Sequence, residues 1–573
     1  MRPLPIIVIT AVLALAAPVR TQTGPTSDLG VQAPAGVVVS ASDVASDIGA
    51  AILTKGGNAV DAAVATAFAL AVTYPFAGNI GGGGFMVVRT PDGKATTFDY
   101  REKAPLKSTP TMYLNAKGDI DISLTSAGYL APGVPGTVRG MALAHGRLGK
   151  LPWKDVVLPA VEIASNGFLI SSSLARGLNG EIRGAMSRFP ASVAAYGKPG
   201  GEQWSEGDRL MQPDLARSLN AIAESPDAFY TGWIADRIAD DMAANGGLIA
   251  RDDLAAYKAA ERAPVKGTFL GYDIISMPPP SSGGTALIEM LNMLEAQQIQ
   301  KLKPRTPEAL HATAEAMRRA FLDRARFLGD PDFVQVPVAK LTNKSHAKDV
   351  WSTFSPTQAS KSVDLGKDII TVQLPGEPDD TTHFSVIDKD GMAVSNTYTL
   401  EGGYGSHVVI RGTGILLNNE MGDFNKKPGT TNLTGDIGTP ANLIAPGKRM
   451  LSSMTPTIVA KDGKVVLITG SPGGRTIINT VLNVVLDVTA WGMTGRDAVD
   501  APRSHHQWLP DRFDLEADAV TEDVLAKLRA MGHTVRAQGR QGSAQSIWIQ
   551  PGTGLVFGVH DKRDPVSKAS PGR

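Results

Sequence analysis

Residue type and position first suggest a reaction at Asp380-Thr381-Thr382-His383. A threonine with a free α-amino group can use that amine to take its own hydroxyl proton, which turns a weak alcohol into a nucleophile. The precondition is a cut between Asp380 and Thr381. The preceding run, residues 355–380, is largely polar and carries Pro356, Pro375 and Pro378, a composition that stays exposed and open to cleavage. A plain reading stands beside this one, because threonine is a common residue at the head of a strand. The other candidate groups gather in the last third of the chain: Thr399, the pair Glu420 and Asp423, Ser452-Ser453, and Gly470-Ser471-Pro472-Gly473-Gly474. Two acids three residues apart can hold an ammonium group, and a Gly-Gly pair can turn backbone N–H groups inward as an oxyanion hole. Taken singly, each also fits an ordinary loop: paired serines satisfy local backbone, and acidic loop residues are commonly solvated.

Several chemistries are excluded or unsupported. There is no cysteine, which rules out disulfides, thiolate metal sites and a thiol nucleophile. Of nine histidines only His505 and His506 are close in sequence, and adjacency is not the spacing of a helical metal site, so no metal is expected. No G-x-S-x-G elbow occurs, and Gly81-Gly82-Gly83-Gly84 leads into a strand instead of opening a helix, so neither a phosphate cradle nor a dinucleotide site is expected there. Lys plus Arg equals Asp plus Glu at 56 each, with no dense basic run, so nucleic acid is not an expected partner.

The elements that must position the candidates can be read in outline. Thr382 to Ile387 and Met392 to Tyr398 are β-rich runs joined by Asp388-Lys389-Asp390-Gly391, a hairpin signal. Helices are expected from Ser42 to Leu53 with Ser42 as N-cap, from Ala59 to Val72, and from Thr476 to Trp491. Another follows Thr306, with Pro307 at its first position and an apolar stripe of Leu310, Ala314, Met317 and Phe321. Strands are expected at Phe85 to Arg89, Ala95 to Tyr100, Gly414 to Leu417, Thr457 to Ala460, Lys464 to Thr469 and Gln545 to Gln550, and a mainly helical region between Pro135 and Ala325 with loops near Pro190 to Gly207 and Met277 to Gly284. Arg101, at a strand end, reads as a surface residue on its own. Residues 426–448 have neither period and are long enough for a lid over a site.

The N-terminus, Arg2 followed by an apolar run from Leu4 to Ala17 and an Ala14-Leu15-Ala16 pattern, reads as a secretory signal peptide covering about residues 1–22. The expected location is periplasmic or secreted, with no membrane anchor after its removal, since no later run reaches the length of a span. At 573 residues the chain suits two to four domains or one large layered α/β unit.

Taken together, the motifs resemble those of the γ-glutamyltranspeptidases. The resemblance rests on Thr381 to Val386, Thr397-Tyr398-Thr399-Leu400, Leu417 to Met421, Leu451 to Pro456 and Gly470 to Gly474, and in the first half on Gly56 to Ala63, Gly78 to Gly83, Tyr100-Arg101-Glu102 and Pro278 to Gly284. It spans nearly the whole chain, and several separated motifs in order are far more specific than any one.

The resemblance implies an N-terminal nucleophile hydrolase fold, a four-layer αββα sandwich, and self-cleavage between Asp380 and Thr381. A large subunit (23–380) and a small one (381–573) would stay associated as one αββα unit. Thr381 would be the nucleophile, Thr399 would orient it, and the N–H groups of Gly473 and Gly474 would stabilise the oxyanion. Arg101, Ser452 and Ser453 would hold the α-carboxylate of a γ-glutamyl substrate such as glutathione, and Glu420 and Asp423 its α-ammonium, with no cofactor. Glu401 departs from the family, which usually has Asn there; it can also accept from the ammonium and adds negative charge. Thr434 stands where many relatives carry an aromatic residue, which implies looser closure and a bias toward water as acceptor. Two rival readings remain: an acylase acting on glutaryl or cephalosporin-type amides, disfavoured by Glu420 and Asp423, and a non-catalytic extracellular binding protein on the same scaffold.

Overall fold

In the computed structural model, residues 28–372, 380–432, 440–517 and 520–573 are described. The expected signal peptide and Thr434 lie outside these residues.

Two antiparallel seven-stranded sheets form the centre. In the first, Thr382–Asp388 and Ala393–Thr399 are neighbours, flanked on one side by Gly36–Ser40 and on the other by Gly83–Arg89. The hairpin register pairs Thr382 with Tyr398. The second sheet carries Lys464–Thr469, Thr457–Lys461 and Tyr272–Ser276 in its middle.

Side chains alternate across a strand, and that alternation assigns the layers. Val37, Val39, Phe85, Val87 and Ile387 point between the sheets, where they meet Ile275, Ile458, Ile468 and Ile547 of the second sheet. Val38, Met86, Val88, Val386 and Val394 point the other way, onto the buried helix Ala59–Thr73. Val459 and Leu467 face a second helical layer built from Gly283–Ala296, Pro307–Phe327 and Thr476–Thr489. Both faces of the central strands are therefore buried, and the polar side chains they carry are paired there, His383 with the hydroxyls of Thr397 and Ser385. The order is αββα, the sandwich that the resemblance implied.

Local signals act where the sequence put them. Ser42 caps Asp43–Thr54 by accepting from the Ala45 N–H, Asn58 forms a capping box with Asp61, and Thr306 accepts from the Ala309 N–H ahead of Pro307. The glycine run serves close approach: a Cβ on Gly81 or Gly82 would sit 2.1 Å from the carbonyl oxygen of Leu416 or Thr399. Two segments differ from expectation. Pro190–Tyr196 is a short helix inside the expected loop, with Pro190 at its first turn. Val265–Phe269 and Tyr272–Ser276 form a hairpin within the region read as mainly helical, turned by Leu270 and Gly271, both at positive φ.

Candidate active site

Thr381 lies just ahead of the strand Thr382–Asp388, with its peptide bond to Asp380 intact. Its hydroxyl is 2.8 Å from the carbonyl oxygen of Asp380 and 3.3 Å from the hydroxyl of Thr399. Thr399, the last residue of the adjacent strand, donates to the same carbonyl oxygen at 2.8 Å and accepts from the Glu401 N–H at 2.8 Å. A chain of donors thus ends on the carbonyl that a cut would break, polarising it. The Asp380 carboxylate accepts from the Gly403 N–H at 3.0 Å, and burial raises its pKa. Backbone N–H groups of the segment that follows Thr399 thus hold two of these groups, the Thr399 hydroxyl and the Asp380 carboxylate.

His383 stands two residues along the strand, wholly buried, with Nδ1 2.8 Å from the Thr397 hydroxyl and Nε2 3.1 Å from that of Ser385. Burial lowers its pKa to about 3, so it stays neutral. Its ring also packs on Gly470, where a Cβ would come within 2.3 Å of it. That contact fixes the start of the Gly470–Gly474 loop beside the nucleophile strand. Gly473 and Gly474 have φ of +122° and +52°, backbone open to glycine. The Thr476 N–H and hydroxyl both donate to the Gly473 carbonyl, so the N–H of Gly474, on the opposite side of that planar peptide, points away from the helix that follows.

The charged groups come together in one pocket. Arg101 is fully buried, contrary to its reading as a surface residue, and its guanidinium bonds Glu420 and Asp423 directly. It also donates to the carbonyl oxygens of Leu451, at 3.1 Å, and Met450, at 3.4 Å. Glu102 lies 3.7 Å from it, and both Glu102 carboxylate oxygens are buried without a hydrogen-bond partner. Glu401, at φ +79°, has its carboxylate 3.5 Å from the position a Cβ on Gly422 would take, facing the turn between Glu420 and Asp423. The pocket and the nucleophile are tied by the chain itself: Asn419 N–H donates to the Leu400 carbonyl, and the Gly402 N–H donates to Asn419 Oδ1, both at 2.9 Å.

Three carboxylates, those of Glu102, Glu420 and Asp423, lie against one guanidinium, so acids outnumber the cation they surround. Burial pushes Glu102 up to about 8 and Glu420 well above the usual carboxylate range, with Arg101 opposing both. Arg101 stays charged because these acids outweigh its burial.

Ser452 and Ser453 lie beside the Leu451 carbonyl that Arg101 holds. Ser452 is braced by the Pro278–Gly284 loop, its carbonyl accepting from the N–H and hydroxyl of Ser282 at 2.7 and 2.6 Å. The Ser453 hydroxyl accepts from Arg324 at 2.8 Å, and Arg324 Nε donates to the Ser282 hydroxyl at 2.7 Å. Reading by motif assigned no role to Arg324 or Glu102. The signal for Arg324 was present: it continues the buried stripe Leu310, Ala314, Met317, Phe321 by one more three-residue step, a charge where an apolar residue belongs.

Known proteins share sequence and fold with this chain. The family model "Gamma-glutamyltranspeptidase" matches residues 45–570. A glutathione hydrolase proenzyme of Escherichia coli (strain K12) is 46% identical over 534 residues, covering 93% of this chain and 91% of its own. Among solved structures, the cephalosporin acylase from Bacillus halodurans superimposes with a TM-score of 0.83 at 26% identity, over 97% of this chain and 99% of that one. The γ-glutamyltranspeptidase of Helicobacter pylori gives a TM-score of 0.54 at 45% identity, over 56% of this chain and 91% of that one. From a match of that extent and relatives of that identity, it follows that this chain belongs to the γ-glutamyltranspeptidase family.

Proposed function

We propose that the chain is a self-cleaving γ-glutamyl transferase and glutathione hydrolase, made as a precursor whose nucleophile is Thr381. The observation that carries this reading is the placement of the Thr381 and Thr399 hydroxyls against the Asp380 carbonyl. In the first reaction Thr381 Oγ1 attacks the Asp380 carbonyl carbon, the C–N bond breaks, and the chain passes to the hydroxyl as an ester. The broken C–N bond frees the α-amine of Thr381, and water then hydrolyses that ester, freeing the Thr381 hydroxyl and leaving Asp380 as a C-terminus. Thr399 stabilises the developing oxyanion in this step and is free to orient Thr381 Oγ1 afterwards.

In the second reaction the new amine takes the hydroxyl proton and Thr381 attacks the γ-carbonyl of the substrate. The N–H groups of Gly473 and Gly474 receive the oxyanion, the leaving amine departs with the proton, and a γ-glutamyl ester remains for water, an amino acid or a peptide to resolve. Arg101, Ser452 and Ser453 hold the α-carboxylate. Glu420, Asp423 and Glu401 hold the α-ammonium. An α-carboxylate exchanges for part of what Arg101 now contacts, while the ammonium settles among the acids.

The subunits would be residues 23–380 and 381–573, after loss of about residues 1–22 on export to the periplasm or medium. Their association is supported by the sheet: Thr382–Asp388 pairs with Gly36–Ser40, and Ala393–Thr399 with Gly83–Arg89, so the cut separates no layer. No helix among the described residues is long and apolar enough to cross a membrane.

The acylase reading meets the carboxylate excess of the pocket, since a glutaryl group has no ammonium to neutralise it. Initial rates on matched γ-glutamyl and glutaryl anilides decide between them. The proposal expects the γ-glutamyl compound to lead by at least roughly 100-fold in kcat/KM, about 2.7 kcal/mol. A glutaryl preference would transfer the reading to an acylase.

A further inference from the structure

The sequence offered no metal motif, yet three ligand-type side chains from three helices converge in the helical layer beneath the second sheet. Glu289 comes from Gly283–Ala296, Asp323 from Pro307–Phe327 and His346 from Lys344–Trp351. Their donor atoms all lie within 4.8 Å of one another. His346 Nε2 is 3.1 Å from Asp323 Oδ2 and 3.7 Å from Glu289 Oε1. Ligands held at roughly 2.0–2.2 Å around a tetrahedral ion sit about 3.3–3.6 Å apart, so the two spacings bracket a coordination edge.

A second observation points to a ligand. The Glu289 side chain is only 1% exposed, and Oε1, the atom turned toward His346, has no hydrogen-bond partner. A buried carboxylate oxygen in that state is costly unless something positive meets it. The nearest guanidinium, Arg326, stands 3.9 Å from Asp323 Oδ1, the oxygen that does not face His346. His346 is 15% exposed, which leaves an approach for the ion and room for a water as fourth ligand.

A second ligand-like group, His311, Glu315 and His533, makes a useful contrast. There Glu315 is committed to Arg318 and Arg319, and both ring nitrogens of His311 are hydrogen-bonded, one to His533 and one to the Ser355 carbonyl. Its donors are already used by protein partners.

We propose that Glu289, Asp323 and His346 form a binding site for a divalent cation of the zinc class, pinning three helices together. One imidazole with two carboxylates suits Zn2+, Co2+ or Ni2+ over Ca2+ or Mg2+, which prefer oxygen ligands throughout. Bound only to the folded chain, the ion raises the melting temperature, which climbs with the logarithm of free metal once that exceeds Kd.

The test is titration of the metal-stripped full chain with Zn2+ and with Co2+, read by calorimetry, melting temperature and visible absorption. The expected result is one saturable equivalent, the intense visible bands of a low-coordinate Co2+ centre, and a melting temperature that rises with Zn2+. His346→Ala and Glu289→Gln are each expected to weaken binding by roughly 100-fold or more, beyond the roughly 10- to 100-fold that loss of an outer-shell partner typically costs. His346→Ala should melt near the wild-type temperature without metal, because its side chain is partly exposed. If Glu289→Gln fails to fold, the histidine variant alone decides. A wild-type chain that takes up no zinc, or a His346→Ala chain that binds it as tightly as wild type, overturns the proposal.

Discussion

Replacing Thr399 by alanine removes one hydroxyl that does two jobs in the intact chain. It donates to the Asp380 carbonyl at 2.8 Å and relays the Glu401 N–H, which donates to it at 2.8 Å. As Thr381 attacks, negative charge develops on that carbonyl oxygen, so the hydrogen bond strengthens in the transition state. Losing one such preorganised donor costs about 2.7–4 kcal/mol, which slows self-cleavage roughly 100- to 1000-fold. The Thr381 hydroxyl, 3.3 Å away, also loses its neighbour, which moves the rate in the same direction. Thr399→Ser keeps the hydroxyl and loses only a buried methyl, so it should mature within a few-fold of wild type. The assay follows loss of the precursor band with time after rapid purification of each variant, with circular dichroism showing that each has folded. Maturation of Thr399→Ala at the wild-type rate would refute the reasoning. So would a Thr399→Ser variant as slow as alanine, because the methyl and not the hydroxyl would then matter.

Arg101→Lys keeps the charge but loses the planar fork that reaches Glu420, Asp423 and the Leu451 carbonyl together, so KM for γ-glutamyl substrates should rise roughly tenfold or more with kcat little changed. An unaltered KM would remove Arg101 from substrate binding. Because burial holds Glu102 up to about 8 and Glu420 well above its usual range, the empty pocket carries a proton at neutral pH, and an arriving ammonium favours the ionised acids. Product L-glutamate should therefore bind with proton release and more tightly as pH rises from about 6 to about 8, as read by calorimetry in buffers of different ionisation enthalpy. Proton uptake, or affinity independent of pH, would contradict this.

Much of the frame was legible because it rests on local chemistry. The Asp388 to Gly391 turn sets the hairpin that places Thr381 beside Thr399, and Ser42, Asn58 and Thr306 cap helices where their side chains dictate. Arg101 was not legible from its own surroundings. Its burial depends on Glu420 and Asp423, more than 300 residues away, and no local pattern announces partners at that separation. The same holds for Glu289, Asp323 and His346, whose meeting is a product of helix packing. The hairpin Val265 to Ser276 was hidden by its helical neighbours, although Leu270-Gly271 was a turn signal between two β-rich runs. In the expected lid, the described part is anchored: Thr431–Asn432 pairs with Thr371–Val372, and Lys448 Nζ donates to the carbonyls of Ala441 and Leu443 at 2.7 and 3.0 Å. Such ties come from tertiary contacts that composition does not show.

The most direct test of the central claim is the intact mass and N-terminal sequence of the purified protein beside its Thr381→Ala variant. The account predicts two fragments in the wild type, the smaller beginning Thr381-Thr382-His383, and one uncut chain in the variant. A wild type that stays whole, or a variant cut at the same bond, would contradict the assignment of Thr381 as the nucleophile.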